Sequence, residues 1–422
     1  MKNTVNIGIL GLGTVGSGVV KSLSRFPDIK IKKISVRNLE KKRSVKVSDE
    51  ILTTDSKSIV NDPEINIIVE LIGGVDPAFE LIKTALSKGK HVISANKELI
   101  AKHGKELFEL ALKNNVVLLY EAAVAGGIPV ISTIKTALAG NKIKKIEGIL
   151  NGTTNYILTK MTDEGASFDD VLAEAQALGY AEADPSGDVQ GFDAMYKIAI
   201  LASIAFGKRV DISKIYREGI DKITPSDIAF AADLGYKIKL IALAQEVENK
   251  GIEVRVHPML LHKTHSMANI DGVLNAVLIE GEPVGQITLS GPGAGEFPTA
   301  SSVLGDLVTL AAEMKVSKTP LTMFKCKHSE YAELIDISES QNKYFIHVIT
   351  KNNTGVIGKI GDICGKHDIS LASILQRGTL PDETARIIML TEEAKEQNLK
   401  KTIEELQHNE NIKEIVNVIR VG

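Results

Sequence analysis

Cysteine is nearly absent. Cys326 and Cys364 are the only two in 422 residues, too few for a disulfide framework or a thiolate metal cluster. Neither sign of charge dominates: 50 Lys and Arg stand against 53 Asp and Glu, a net charge of −3. Without basic runs or an acidic tail, that balance argues against nucleic acid and against an anionic membrane surface as partners. Every apolar run falls short of the roughly 20 residues that span a bilayer. A signal-peptide pattern is missing too, because MKNTVNIGILG passes straight into a strand-like run, so a cytoplasmic, reducing setting is expected. Asn151-Gly-Thr and Asn352-Asn-Thr match a glycosylation pattern that has no meaning in that setting. There are no internal repeats and no low-complexity segments.

What is present is ordinary in bulk, with 44% apolar and 24% charged residues, and long enough for two or three domains. VNIGIL (5–10), IKKISV (31–36), INIIVELI (65–72), KHVISA (90–95) and NVVLLY (115–120) are short apolar runs of the kind that suits parallel strands buried on both faces. Helical patterns lie between them, such as 77–88, with Pro77 for its first turn and Gly89 for its C-cap. The order predicts an α/β class with a Rossmann-type doubly wound sheet. From about residue 130 the pattern becomes α+β. It has helices over 170–179 and after 191, strands over 253–261 and 275–281, a Gly/Pro loop over 291–300 and a helix over 302–314. Residues 325–342 read as a polar connector. The tail reads βαββαβ, a ferredoxin-like order.

Gly11-Leu-Gly13-Thr14-Val15-Gly16 follows a strand and opens a helix, the context in which GxGxxG points to a dinucleotide. Gly11 permits the tight turn, Gly13 a close approach of backbone to pyrophosphate, and Gly16 close helix–strand packing. An acid that would bind a ribose 2′-hydroxyl is missing after the second strand; Val36-Arg37-Asn38 and Lys41-Lys42-Arg43 stand there instead. Arginine's forked donors suit a 2′-phosphate, so NADP(H) is favoured, with NAD as the alternative.

Lys97, in SANKE, sits just past the carboxyl end of a parallel strand, where ligands of such sheets bind. The stretch 179–197, GYAEADPSGDVQGFDAMYK, is denser: Glu182, Asp184, Asp188 and Asp193 precede Lys197. Asp193 and Lys197 share one helix face, and residues 194–206 carry no charge but Lys197. A helix apolar all round is a buried one, so the pair belongs at a cleft rather than on an open surface. That arrangement suits a proton donor. Glu121 precedes a Gly-rich turn that could hold a hard cation or simply cross between domains. His257, His262 and His265 lack a zinc-site spacing and read as strand histidines.

The blocks GLGTVGSGVV, SANKELIA, EAAVAGGIP, GILNGTTNYIL, GYAEADPSGDVQGFDAMYKIAIL and GPGAGEFPTASSVLGDL occur in an order that resembles homoserine dehydrogenase across essentially the whole chain. The tail, with Asn353-Thr-Gly355-Val-Ile-Gly358, resembles an ACT domain. The resemblance implies NAD(P)-dependent interconversion of L-aspartate 4-semialdehyde and L-homoserine, on the path to threonine and methionine. It implies Lys197 as proton donor with Asp193 beside it, Glu182 and Asp188 at the substrate's ammonium end, and Lys97 between nicotinamide and substrate. It adds Gly73 and Gly295 to Gly11, Gly13, Thr14, Val15, Gly16, Arg37 and Lys97 around the cofactor. A monovalent cation, sodium above all, is implied at Glu121 with the carbonyls of Val124, Gly126 and Ile128. Implied too are a homodimer or homotetramer formed through the middle domain, and an amino-acid effector such as threonine. The implied division is 1–130 for the dinucleotide domain, completed by helix 302–320, and 131–301 for catalysis and dimerisation. A linker, 325–343, and an ACT domain, 344–422, follow. Glu296-Phe297 stands where small residues or Met are common, and Asn352-Asn353 where an Asp is frequent. Two rival readings are a noncatalytic sensor of dinucleotide and amino acid, and another amino-acid dehydrogenase on the same architecture.

Overall fold

The structure, a computed structural model, describes residues 4–316, 325–326, 328–379 and 384–422. The backbone forms two compact units. The first comprises 1–150, 195–213 and 274–332, and the second 151–194, 214–273 and 333–422.

In the first unit the chain alternates β1 (Val5–Leu10), α1 (Thr14–Leu23), β2 (Ile29–Ser35), β3 (Leu52–Thr53), α2 (Ser56–Asn61), β4 (Ile67–Glu70), α3 (Ala78–Ser87), β5 (His91–Ser94), α4 (Lys97–Lys113) and β6 (Leu118–Leu119). The strands are parallel in the order β3-β2-β1-β4-β5-β6, the doubly wound order expected from the apolar runs. Ile7, Ile9, Ile34, Ile67, Val69 and Ile93 are fully buried, because helices cover both faces of a parallel sheet. The order reverses between β1 and β4, so the crevice outside their carboxyl ends is the place for a ligand.

After α5 (Val130–Ser132) come β7 (Lys142–Ile149), α6 (Gly152–Glu164), α7 (Phe168–Ala177), α8 (Ser186–Val189), α9 (Phe192–Ala205), β8 (Tyr216–Arg217) and α10 (Pro225–Asp233). A hairpin of β9 (Tyr236–Val247) and β10 (Gly251–His262) follows, then β11 (Leu274–Glu282), β12 (Gly285–Pro292) and α11 (Glu296–Val316). Strands β7, β11 and β12 pair antiparallel within the first unit. Helix α11 packs on α1 so closely that a Cβ on Gly18 would lie 2.5 Å from the Glu296 carbonyl oxygen. It starts at Glu296, inside the stretch read as a Gly/Pro loop and ahead of the expected start at 302. Pro298 falls in the first turn, where a missing N–H is no loss, so the proline there opens a helix instead of preventing one. Positions 317–320 of the expected helix lie outside the described residues.

The second unit is built on a mixed sheet in the order β9-β10-β17-β13-β15-β14, with β8 also against β10. Its last part runs β13 (Gln341–Lys351), α12 (Val356–Lys366), β14 (Leu371–Thr379), β15 (Thr384–Thr391), β16 (Ala394–Lys395), α13 (Glu396–Gln407) and β17 (Ile412–Val421). This is the βαββαβ order read from the tail. Its own core holds Tyr344, Ile346, Val348, Ile360, Leu399 and Leu406. Strand β13 begins at Gln341, inside the stretch read as connector. Strand β17 pairs antiparallel with β13 and parallel with β10, through Met259–Arg420 and Leu260–Val421, so one sheet runs through the whole unit. Both cysteines are buried and unbridged. Among the described residues no helix is long and apolar enough to cross a membrane.

Candidate active site

The turn after β1 has the geometry its glycines suggest. Gly11 has φ +101°, and a Cβ there would lie 2.7 Å from the Leu71 carbonyl oxygen. A Cβ on Gly16 would lie 2.5 Å from the Gly11 carbonyl oxygen. Around Gly13 nothing comes within 4 Å of such a Cβ, so the close approach that this residue permits is to something other than the protein. Thr14 and Val15 form the first turn of α1, and no side chain caps that helix. An anion can therefore meet its backbone N–H groups and the positive end of its dipole.

Past β2, Arg37, Lys41 and Lys42 are exposed. Arg43 is occupied differently: its guanidinium donates to the carbonyls of Asn38, Leu39 and Lys41 and so closes the loop on which the other cations stand.

The carboxyl ends of β4 and β5 hold residues that the sequence did not single out. Glu70 is fully buried and accepts hydrogen bonds from the N–H groups of Ile72 (2.8 Å) and Gly73 (3.3 Å) and from the Ser94 hydroxyl (2.6 Å). Burial pushes its carboxyl above the usual range against those donors. Gly73 and Gly74 both have positive φ, at 79° and 70°, which glycine alone adopts readily. Asn96 donates to the Gly74 carbonyl at 2.6 Å and accepts from Leu99 N–H at 3.1 Å, capping α4. Lys97 is the first residue of that helix and half-buried. Asn96 thus ties the Gly73-Gly74 turn after β4 to the start of α4, where Lys97 stands.

Glu121 is buried, and its two carboxylate oxygens accept from Ile131 N–H (2.8 Å) and Ser132 N–H (2.7 Å). Its own N–H donates to Asp306 on α11 at 2.9 Å. Burial, aided by the Glu121 charge, pushes Asp306 up to about 7, and burial raises Glu121 as well. Of the carbonyls paired with Glu121 in the sequence reading, Gly126 accepts from the Ser302 hydroxyl at 2.6 Å and Ile128 from Val130 N–H at 2.8 Å. Each carbonyl retains a second lone pair.

The junction of β7 and α6 organises the chemistry-bearing groups of the acidic stretch. Lys197 is buried, and its ammonium donates to the Leu150 carbonyl at 2.6 Å. The next residue, Asn151, is buried and uses one amide nitrogen on two acids, Asp188 at 2.7 Å and Asp193 at 3.0 Å. Its side-chain oxygen accepts from Thr154 N–H at 2.8 Å, which caps α6. The Asn151-Gly-Thr triplet is therefore a helix start. Asp193 is 7% exposed and Asp188 half-exposed. Glu182 is exposed, and the structure gives its side chain no tie to that cluster. Hydrogen bonds from the Ser186 hydroxyl and from its N–H, at 3.1 Å, hold the Asp184 carboxyl below the usual range at the start of α8. Asn151 escaped the sequence reading because its partners lie 37 and 42 residues away. Gly295, at φ +124°, ends the loop before α11.

His257 and His262 lie on β10, as the strand reading expects, whereas His265 falls in the turn after it. His257 is fully buried with Nδ1 on the Pro258 carbonyl, and burial holds it well below the usual range. His262 and His265 bond within their own turn. Among the described residues no group of three or more His, Cys, Asp and Glu side chains is placed to hold a metal ion.

Comparison with known proteins points to one family. Residues 11–121 match the family model described as homoserine dehydrogenase, NAD binding domain, and residues 129–308 the one described as homoserine dehydrogenase. A homoserine dehydrogenase of Synechocystis is 45% identical over 431 residues, covering 99% of each chain. The crystal structure of a homoserine dehydrogenase from Thiobacillus denitrificans is 40% identical, with a TM-score of 0.94 over 99% of this chain and 98% of that one. A hyperthermophilic archaeal homoserine dehydrogenase in complex with NADPH is 29% identical with a TM-score of 0.64, and spans 75% of this chain and 100% of its own. Reciprocal coverage this complete, at such identities, leaves the rival readings without support, and the chain belongs to the homoserine dehydrogenase family of NAD(P)-dependent oxidoreductases.

Proposed function

We propose that the chain reduces L-aspartate 4-semialdehyde to L-homoserine, reversibly, with Lys197 protonating the aldehyde oxygen. The observation that carries this is the Leu150–Asn151 junction, where one carbonyl fixes the Lys197 ammonium and the next side chain fixes Asp188 and Asp193. The dinucleotide, when bound, supplies the hydride to the carbonyl carbon. As negative charge grows on oxygen, the cations of Lys197 and Lys97 stabilise it, and Lys197 delivers the proton. Asp188 and Glu182 receive the substrate ammonium. Gly11, Gly13, Thr14, Val15, Gly16, Gly73 and Gly295 line the cofactor. Arg37, with Lys41 and Lys42 beside it, favours the 2′-phosphate of NADP(H); the archaeal relative with NADPH supports the same choice. The donor set around Glu121 fits a monovalent cation, because two buried carboxylates raised by burial gain from a positive neighbour.

The domain reading keeps 1–130 and residues 302–320 for the dinucleotide, 131–301 for catalysis and dimerisation, 325–343 as the link, and 344–422 as an ACT domain. A cavity of about 360 Å³ supports the last assignment, lined by Asn352, Asn353 and Gly355 before α12 and by Gln376 on β14, and suited to an amino acid such as threonine. Purified protein should oxidise NADPH only when the semialdehyde is added. Lys197→Ala should lose at least about a hundredfold in kcat, the scale of general acid catalysis, while still binding dinucleotide. Wild-type turnover in that variant would overturn the assignment.

A further inference from the structure

Arg420, on β17, is almost wholly buried, and its donors reach in two directions. Its Nε meets Glu396 Oε2 on α13 at 3.0 Å. Its two terminal nitrogens meet Glu218 Oε2 at 3.0 Å and the Tyr216 hydroxyl at 3.2 Å, and the guanidinium lies 4.7 Å from the Tyr216 ring centroid. Tyr216 belongs to β8, a two-residue strand whose own ladder with β10 is correspondingly short. The neighbouring Arg217 donates to the Gln190 carbonyl and lies 3.5 Å above the Phe192 ring. Just beyond, Ile220 N–H donates to the Val189 carbonyl at 2.9 Å. Gly219 comes so near that a Cβ would lie 2.5 Å from the same oxygen. The segment clamped in this way, Val189 to Phe192, is the elbow between α8 and α9, with Asp188 at one end and Asp193 at the other.

We propose that Arg420 is a positioning residue for the acidic rim of the substrate site, acting through Tyr216, Glu218 and Arg217 on the elbow that sets Asp188 against Asp193. The proposal rests on the reading of those two acids as substrate-site residues. Its physical basis is that a short strand without a long ladder takes its position from side chains. A guanidinium fork holds Glu396 at both oxygens together with Glu218 and a phenol, four contacts in fixed directions, where an ammonium has three donors around one point. Displacing a binding acid by about 1 Å is enough to change turnover by about a hundredfold, so a tether two contacts removed can still govern the site.

The test compares Arg420→Lys, Glu218→Gln, Arg217→Leu and the Arg420→Lys/Arg217→Leu double variant in the full-length enzyme. Homoserine KM, kcat, NADP(H) dissociation constant and Tm are measured for each, with Asp188→Asn and Asp193→Asn alongside. Each single variant is expected to raise homoserine KM by about tenfold, less than a direct loss of contact, with the dinucleotide dissociation constant unchanged. The double variant should cost no more than the larger single, because both act along one route. Arg217→Lys, which keeps the cation over Phe192, should recover part of the loss. Unchanged homoserine KM in the arginine variants while the aspartate variants are impaired would overturn the proposal. So would fully additive losses, or losses that follow Tm and dinucleotide binding equally. Wild-type activity in both aspartate variants would instead remove the reading on which it rests. Should Arg420→Lys fail to fold, Glu218→Gln reads the same tether from its other end.

Discussion

Asn151 offers the sharpest perturbation, because one side chain does two separable jobs. Asn151→Ala removes the α6 cap, about 1 kcal/mol, and strips the shared donor from Asp188 and Asp193. A hydrogen bond to a charged group contributes about 1.5–3 kcal/mol, and the half-exposed Asp188 recovers part of its share from water. A total destabilisation of about 3 kcal/mol follows. Asn151→Asp keeps the cap, since aspartate caps as well as asparagine, but replaces the donor with a third carboxylate. Its effect should fall on charge rather than on the helix. Without the donor the two carboxylates lose a shared hydrogen bond, and in Asn151→Asp they also face a third negative charge. Homoserine KM should therefore rise about tenfold in Asn151→Ala, the equivalent of about 1.4 kcal/mol, and further in Asn151→Asp. The assay is steady-state homoserine oxidation with Tm recorded alongside. A homoserine KM in Asn151→Asp that matches the wild type would refute the argument, as would a loss in Asn151→Ala accounted for entirely by unfolding.

The glycine loop allows a paired experiment. Gly13→Ala should leave Tm unchanged and weaken dinucleotide binding, whereas Gly11→Ala, forced against Leu71 at positive φ, should lower Tm as well; calorimetry and dinucleotide titration separate the two. Arg37→Ala should raise KM for NADPH about tenfold and leave that for NADH nearly unchanged, while Arg43→Ala, which opens the loop, should affect both. Asp306 binds a proton more readily folded than unfolded, so it contributes stability at low pH that is lost as pH rises from about 4 towards its folded value of about 7. Asp306→Asn should flatten the stability profile across that window in urea titrations. Added sodium or potassium should flatten it in the wild type if the cation sits there.

The parallel sheet was legible because strands buried on both faces leave continuous apolar runs, and Gly11 and Gly16 because close backbone contacts admit nothing larger. Strand β9 was not legible, although it is as long as β10. Its Lys239 looks like a surface charge but is 2% exposed, held by Asn155 at 3.0 Å, the Ile270 carbonyl at 2.8 Å and Asp271 at 2.8 Å. A buried lysine with every donor used breaks the alternation that a strand reading depends on. Asp193 and Lys197 declared themselves by sharing a helix face with no other charge nearby. Asn151 and Glu70 did not, because their value lies in partners brought close only by the fold, and a polar residue at a strand end suggests a turn. The tail's secondary structure was readable from local periodicity. Its continuity with β10 was not, since no local signal marks a parallel pairing across such a distance.

That pairing sets a timetable for synthesis. The stretch of β10 around Met259 and Leu260 cannot receive its neighbour until β17 has left the ribosome, more than 150 residues later. At typical elongation rates the wait is roughly ten to thirty seconds, long compared with the formation of a hairpin such as β9–β10. During that interval an apolar strand edge is uncovered on a nascent chain, the kind of surface that recruits other strands. Chaperone dependence, or its relief at slower growth temperatures, should therefore track the arrival of β17 rather than the completion of the dinucleotide sheet.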